Sequence, residues 1–188
     1  VVNIGGHQVP RVVTDFSMKE KITPASLFAL GYHYSVPLDK WNITDVACDY
    51  IFLGDNTIDF EIPGTLGLIF NHSTWLTQKS KDRTYPFVNP KDYLSGVELS
   101  SKLNFIYTQL KDITDGFVDK LKNDTTAVLL IDTYNSHGLA EQRRLFVALI
   151  ERACTVPVIL GRAYGDLSSD QLQLYAATDM GGLLIDGL

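Results

Sequence analysis

The sequence predicts an α/β protein in which successive βα units form a parallel sheet, as a TIM-barrel-like or partial barrel, with an irregular N-terminal half. Three observations predict this class. Short apolar runs alternate with segments of helical period through the second half of the chain. The runs are continuously apolar, which is typical of strands covered on both faces. Turn-forming glycine, proline and aspartate residues separate them.

The first predicted unit lies in the middle of the chain. A strand over Leu103–Leu110 is rich in β-branched and aromatic residues. Ile113, Phe117 and Leu121 then recur every four residues, which places them on one face of a helix. The apolar run Ala127–Asp132 follows as the second strand.

The longest predicted helix covers residues 137–156 and ends before Pro157. Apolar residues at helical spacing form its predicted buried stripe, and charged or polar residues form its solvent side. The stripe comprises Leu139, Phe146, Leu149, Ile150 and Ala153, and the solvent side comprises Glu141, Gln142, Arg143 and Glu151. Val156–Leu160 is predicted as the next strand.

The last predicted unit combines a capped helix with a final strand. Ser168 or Ser169 can cap the helix, and Gly181 is its C-terminal stop. Gly182–Asp186 is predicted as the fourth strand of the series. Right-handed crossovers between such strands imply a parallel sheet.

The first half of the chain is less regular. The opening residues predict a hairpin around Gly5-Gly6, and Pro24 and Gly31 bound a short predicted helix. Further strands and one exposed polar loop are also predicted. The strands are Asp49–Asp55, Gly67–Asn71 and Tyr85–Pro90, and the loop is Leu76–Thr84. Because no repeat or linker interrupts the sequence, a single domain over residues 1–188 is expected.

Composition and charge argue against several function classes. The net charge of −6 would repel nucleic-acid phosphates and anionic membranes. The charge is evenly spread, since 8 of the 16 basic and 11 of the 22 acidic residues precede residue 101. No apolar run approaches the ~20 residues of a membrane-spanning helix, and no secretory signal is evident. A soluble, cytoplasmic protein without nucleic-acid or membrane partners is expected.

The two cysteines do not form a recognisable metal motif. Cys48 and Cys154 lie far apart, and neither has a cysteine or histidine at ligand spacing. Both are therefore expected to be buried apolar residues. Three histidines, His7, His33 and His137, also have no partner at recognisable spacing and are expected to be structural.

Polar residues follow the predicted strands at their carboxyl ends, where parallel α/β proteins place functional groups. These residues are Asp55, Asn71, His72, Asp132, Arg162 and Asp186. Together they would suit a metal ion or a phosphorylated substrate. The alternative is turn chemistry, which the sequence supports better, because buried strands commonly end in polar residues where the backbone meets water. Phosphate-binding glycine patterns, the nucleophile elbow and a Cys–His pair are absent, so no catalytic, cofactor-binding or metal-binding residue is predicted.

Residues 125–188 carry a resemblance to a known family. The matching features, in order, are "AVLLID", "LAEQRRLFVALIERACTVPVI" and the closing "GGLLIDGL". They are similar to 4-hydroxy-3-methylbut-2-enyl diphosphate synthases (IspG) of the non-mevalonate isoprenoid pathway. The resemblance is to the long form, which has an inserted domain between its substrate-binding barrel and its iron–sulfur domain. It implies that residues 1–188 are this inserted middle domain, cut from a longer enzyme.

The resemblance also implies what the parent enzyme does. The parent would be an oxidoreductase that opens 2-C-methyl-D-erythritol 2,4-cyclodiphosphate with electrons from ferredoxin or flavodoxin. Its [4Fe–4S] cluster would be bound outside this segment by three cysteines and a glutamate. Cys48 and Cys154 do not match the family's C-x-x-C pair, so neither inherits that role.

Two functions remain open for the segment itself. The resemblance implies a non-catalytic structural spacer that contacts other domains of the same chain. The alternative is an independent βα-barrel enzyme that acts on a small phosphorylated or carboxylated substrate. Its acidic strand-end rim would consist of Asp55, Asp132, Arg162 and Asp186.

Overall fold

The computed structural model describes residue 1 and residues 3–188, and it divides into two compact units. One unit is Val9–Phe87, and the other combines Val1–Gln8 with Val88–Leu188. Each unit contains its own run of parallel strands and its own apolar core.

The Val9–Phe87 unit is built on four strands in which every neighbouring pair is parallel. In spatial order they are β1 (Val13–Asp15), β4 (Tyr50–Gly54), β5 (Gly67–Asn71) and β6 (Thr84–Val88), whose last residue begins the other unit. A separate antiparallel hairpin and three short helices complete the unit. They are β2 (Tyr32–Ser35), β3 (Lys40–Ile43), the 3-10 helices Pro24–Leu30 and Val36–Leu38, and α1 (His72–Thr77). The core includes the fully buried Leu27, Ile51, Leu53 and Leu66.

The unit that includes Val88–Leu188 is built on three parallel strands in chain order. They are β7 (Asn104–Thr108), β8 (Ala127–Ile131) and β9 (Val158–Leu160). Helices alternate with the strands. They are α2 (Pro90–Ser95), the 3-10 helix Leu110–Asp112, α3 (Asp115–Lys122), α4 (Gly138–Glu151), α5 (Ser169–Asp179) and α6 (Gly181–Ile185). The core includes Ile106, Phe117, Leu129, Leu145 and Leu149.

The predicted fold class is confirmed. Parallel strands joined by helices form the sheet, and most predicted elements occur within a few residues of their predicted bounds. The predicted N-cap is also correct, because the Ser168 hydroxyl accepts a hydrogen bond from the Gln171 amide at the start of α5. Four parallel strands, β1, β4, β5 and β6, form one group, and three, β7, β8 and β9, form the other.

One predicted strand is a helix. The prediction for Gly182–Asp186 was wrong, because Gly181–Ile185 forms α6 directly after α5. The helix fully buries Leu183, and Gly182 packs against the side chain of Leu139 in α4. A short apolar run has no periodicity that distinguishes a strand from one helical turn. Here contact with α4 decides in favour of the helix.

The predicted face of the long helix was partly wrong. Ile150 was predicted to be buried but is 60% exposed, whereas Gln142 was predicted to face solvent but is 2% exposed. The buried positions of α4 are Gly138, Gln142, Leu145 and Leu149. Gln142 can be buried because its Nε2 donates to the carbonyl oxygen of Gly161 at 2.9 Å.

The predicted N-terminal hairpin does not form between described residues. Part of its first arm, residue 2, lies outside the described residues. The second arm contains β1, which pairs in parallel with β4 rather than antiparallel with the opening residues. Gly5 and Gly6 both have positive φ, 77° and 61°, and make a turn instead.

No helix in the described part of the chain combines the length and apolar character needed to cross a membrane.

Candidate functional site

In the Val9–Phe87 unit, the predicted strand-end residues Asp55 and Asn71 are in contact. Asn71 Nδ2 donates to one carboxylate oxygen of Asp55 at 2.9 Å, and Thr74 Oγ1 donates to the other at 2.5 Å. These two hydrogen bonds, first that from Thr74 and then that from Asn71, lower the pKa of Asp55 below its ordinary value. The carboxylate is therefore ionised at neutral pH, but both of its oxygens are already hydrogen-bonded to the first turn of α1 and the end of β5.

His72, the neighbouring predicted residue, packs on an aromatic ring. It begins α1, and its imidazole stacks on Trp75 with 6.2 Å between ring centroids and 29° between the planes. Trp75 is buried, and Lys81 Nζ lies 4.0 Å from its ring centroid. These contacts give His72 a packing role at the start of the helix.

In the unit that includes Val88–Leu188, Arg162 is the centre of a hydrogen-bond network. It follows β9, and its side chain is 9% exposed. Its Nε donates to Asp179 Oδ2 at 2.9 Å, and its two terminal nitrogens donate to the carbonyl oxygens of Thr133 at 2.5 Å and Asn135 at 2.8 Å. One guanidinium thus joins the end of β9, the loop after β8 and the last turn of α5. Three of the five N–H donors point at structural acceptors and the side chain is 9% exposed, so Arg162 presents little of its guanidinium to a phosphorylated substrate.

Tyr164 and Gly138 complete this network. Tyr164 donates its hydroxyl to Asp179 Oδ2 at 3.0 Å. Burial, with the Asp179 carboxylate as the second cause, raises the pKa of Tyr164 to about 12. Gly138 leaves room for the guanidinium, because a Cβ at this position would lie 2.5 Å from Arg162 Cζ. The first residue of α4 must therefore be glycine for Arg162 to keep this position.

Asp132 is a turn residue, as the alternative interpretation of the strand ends predicts. Its Oδ1 accepts a hydrogen bond from the backbone amide of Thr133 at 2.7 Å. The Tyr107 hydroxyl lies 3.5 Å from Oδ2. Burial, and next the Asp132 carboxylate, raise the pKa of Tyr107 to about 12.

Asp186 does not lie at a strand end, because the strand predicted before it is α6. Its carboxylate accepts a hydrogen bond from Nε of Arg143 in α4 at 2.7 Å, and a terminal nitrogen of the same guanidinium lies 2.5 Å away in an ion pair. Both side chains are more than one third exposed. The pair is a surface ion pair that attaches α6 to α4, and the prediction that Asp186 belongs to a strand-end rim was wrong.

The described residues contain no metal-binding group of three or more histidine, cysteine, aspartate or glutamate side chains. Two shallow depressions occur on α4. One, of about 420 Å³, is lined by the outward face of this single helix. The other, of about 270 Å³, includes His137 and Asp179. Neither encloses a substrate in the manner of an active-site cleft.

The cysteines are buried, as predicted. Cys48 is 4% exposed and Cys154 is 7% exposed, and they lie in the cores of different units. Burial raises the pKa of the Cys48 thiol, which disfavours the thiolate form that binds metals. These two side chains do not fit an iron–sulfur cluster.

The sequence did not indicate several residues that hold these strand ends. Thr74, Tyr164 and Asp179 supply the key hydrogen bonds, yet none forms a motif with its partner. Asp179 lies seventeen residues after Arg162, at the C-terminal end of α5. Only the packing of α5 brings this pair together, so no spacing rule would have found it.

Comparisons with known proteins agree with the resemblance. No protein-family model and no solved structure matches the chain. Six curated proteins named 4-hydroxy-3-methylbut-2-en-1-yl diphosphate synthase (flavodoxin) do match, and three of them illustrate the range of identity and coverage. That of Parabacteroides distasonis is 31% identical over 139 residues, or 74% of this chain and 22% of its own length. Those of Bacteroides thetaiotaomicron and Phocaeicola vulgatus are 25% and 24% identical over alignments that cover 100% of this chain and 27% of their own length.

The chain spans about a quarter of the length of these curated relatives. The resemblance predicted from residues 125–188 is confirmed, and in two alignments it extends over the whole chain. The chain therefore belongs to the 4-hydroxy-3-methylbut-2-en-1-yl diphosphate synthase family, of whose members it matches one segment.

Proposed function

We propose that this chain is the inserted middle domain of a 4-hydroxy-3-methylbut-2-enyl diphosphate synthase and acts as its non-catalytic spacer. The observation that carries the proposal is the alignment of the entire chain with about a quarter of the synthases. The parent enzyme reduces 2-C-methyl-D-erythritol 2,4-cyclodiphosphate to 4-hydroxy-3-methylbut-2-enyl diphosphate in the bacterial cytoplasm. Flavodoxin, which the names of the relatives contain, is its electron donor, with ferredoxin as the other expected donor.

The hydrogen bonds of the polar side chains at the strand ends support a spacer function. Asp55 is bound by Asn71 and Thr74, and Arg162 is bound to one carboxylate and two backbone carbonyls. A catalytic acid, base or anion clamp needs a free atom directed at the substrate. These side chains direct their polar atoms at neighbouring elements, so their role is to fix strand ends and loops.

The cysteine thiols available as ligands support a cluster site elsewhere in the parent enzyme. A [4Fe–4S] cluster is held mainly by cysteine thiolates, and this chain offers two thiols, Cys48 and Cys154, buried in separate cores. We therefore assign the cluster to another part of the parent enzyme and assign no reaction step to this chain.

No observation favours the alternative of an independent barrel enzyme. That function needs Asp55, Asp132, Arg162 and Asp186 as an available rim. Asp186 lies at the end of a helix and is paired with Arg143, and the Arg162 guanidinium is occupied by structural partners.

Deletion in the full-length enzyme tests the spacer. The gene is first sequenced through both ends of this segment, and we expect a reading frame that encodes a C-x-x-C pair with a further cysteine and a glutamate. Removing residues 1–188 from that protein should disrupt assembly and turnover while leaving the visible absorption of the reconstituted cluster unchanged. A deletion variant that assembles and turns over normally would refute the spacer. A gene without the cysteines would refute the synthase assignment.

A further inference from the structure

Helix α5 is apolar on opposite sides. Leu172 and Tyr175 are each 47% exposed and Leu174 is 65% exposed, and no residue of α5, all of which the structure describes, is buried. At 100° per residue, Leu172 and Leu174 point about 160° apart around the helix axis. A surface helix normally has one apolar and one charged side, whereas a helix that is apolar all round is normally covered. Tyr175 stacks on Tyr164 of its own unit, with 6.2 Å between ring centroids, so the side of α5 that carries Leu174 is the uncovered one.

Helix α6 continues this exposed apolar surface. It packs on α5 and α4 and fully buries Leu183. The next two side chains point outward, since Leu184 is 57% exposed and Ile185 is 88% exposed. We call three exposed apolar side chains of the two helices the α5–α6 face. It comprises Leu174, Leu184 and Ile185. Leu172 lies on the opposite side of α5, and Tyr175 stacks on Tyr164 of its own unit. Grouped apolar exposure of this kind marks interaction surfaces.

The charged residues of α5 and α6 themselves are all acidic. After Arg162 the sequence contains no lysine, arginine or histidine, but it contains four aspartates. Asp179 and Asp186 are paired with Arg162 and Arg143. The other two, Asp166 and Asp170, are exposed. A complementary surface would therefore be apolar with a basic border.

We propose that the α5–α6 face docks against flanking polypeptide of the parent synthase, through an apolar surface bordered by lysine or arginine. This inference rests on the proposed function, because the relatives have about three quarters of their length outside the matched segment. A second copy of the chain is a poorer occupant. Two α5–α6 faces brought together would place the Asp170 carboxylates of both copies, each one helical turn before Leu174, at one interface, where like charges repel.

Hydrogen–deuterium exchange compares the isolated 188-residue chain with the full-length parent. In the parent, the amides of α5 and α6 should exchange at least about tenfold more slowly than in the isolated chain. Leu174→Asp in the parent should restore fast exchange. Val46→Asp is the matched control, because Val46 is 86% exposed and lies in the other unit, and it should leave the exchange of α5 and α6 slow.

A further variant tests the basic border. Asp170→Lys in the parent should also speed exchange of α5 and α6, and the effect should shrink at high salt because ions screen exposed charges. An Asp170→Lys parent with wild-type exchange contradicts the basic border.

Three results separate the possible failures. If the amides of α5 and α6 exchange equally fast in the isolated chain and in an active parent enzyme, the docking proposal is wrong but the proposed function stands. An inactive parent with slow exchange refutes the proposed function and leaves the docking intact. If sedimentation shows that the isolated chain forms a dimer which Leu174→Asp dissociates, a second copy occupies the face and the proposal is wrong.

Discussion

Replacing Arg162 with methionine should destabilise the unit that contains it by about 3–5 kcal/mol, the usual cost of removing one partner of a buried ion pair. The low exposure of both partners favours a loss of stability in the upper part of this range. Arg162 is 9% exposed and its partner Asp179 is 17% exposed, so solvent replaces little of the lost interaction. The substitution also leaves the carbonyl oxygens of Thr133 and Asn135 without this donor. Asp179 would keep only the hydrogen bond from Tyr164 among these contacts.

A double-mutant cycle separates the pair from general loss of packing. Asp179→Leu alone also leaves an unpaired charge, whereas Arg162→Met with Asp179→Leu removes both charges. The double variant should therefore be more stable than the sum of the single losses implies, by about 1–3 kcal/mol. Equilibrium urea unfolding followed by far-ultraviolet circular dichroism gives these free energies. At a slope of about 2 kcal/mol/M, Arg162→Met lowers the midpoint by about 1.5–2.5 M.

Arg144→Met is the matched control. Arg144 lies on the outward face of α4 and is exposed, so its replacement should change stability by less than about 0.5 kcal/mol. The reasoning is refuted if Arg162→Met costs less than about 1 kcal/mol, or if the double variant loses the full sum of the two single losses.

Three further substitutions test neighbouring features. Gly138→Ala should lower the free energy of unfolding in urea by about 1–3 kcal/mol, because the added Cβ collides with the Arg162 guanidinium. The cost of the collision should exceed the gain of about 1 kcal/mol from alanine's helix preference. A variant more stable than the wild type would contradict the clash. The Gln142→Glu variant should be least stable at high pH and should regain stability as the pH falls. Burial raises the pKa of the new carboxyl group, and its protonated form can donate a hydrogen bond to the carbonyl oxygen of Gly161. Thermal unfolding between about pH 5 and pH 8 measures this change, and a loss of stability that does not depend on pH would exclude the explanation. Asp55→Ala should destabilise at neutral pH, and the deficit should vanish in acid: a lowered pKa in the folded state gives stability that is present above the unfolded pKa of about 3.9 and is lost as the pH falls through the folded value. An NMR titration that gives Asp55 an ordinary pKa would contradict this account.

Local patterns were enough to predict most strands and helices. The apolar runs of β4, β5, β7 and β8 are buried strands, as their continuous hydrophobicity predicts. The cap at Ser168 and the glycine stop at Gly31, whose φ is 86°, were also predictable, because both depend on residues within one helical turn.

Long-range packing explains the errors. Gln142 is buried because a carbonyl of Gly161, nineteen residues away, accepts its hydrogen bond, and hydrophobic periodicity does not register that partner. Gly182–Asp186 has the composition of a strand, but its position against Leu139 and Arg143 makes it a helix. The strand-end residues were located correctly except for Asp186. Whether they bind one another or a ligand depends on contacts that the sequence does not specify, such as that of Thr74 with Asp55.

Turnover of the full-length synthase with Asp55→Asn and Asp132→Asn combined tests the central claim most directly. The claim is that these strand-end carboxylates hold turns and do not take part in catalysis. The account predicts a folded enzyme whose kcat and kcat/KM stay within about twofold of the wild type. Removing a general acid or base typically costs about 10²–10⁴-fold. A loss of that size in a correctly folded, cluster-loaded variant would contradict the account and make the strand ends part of an active site.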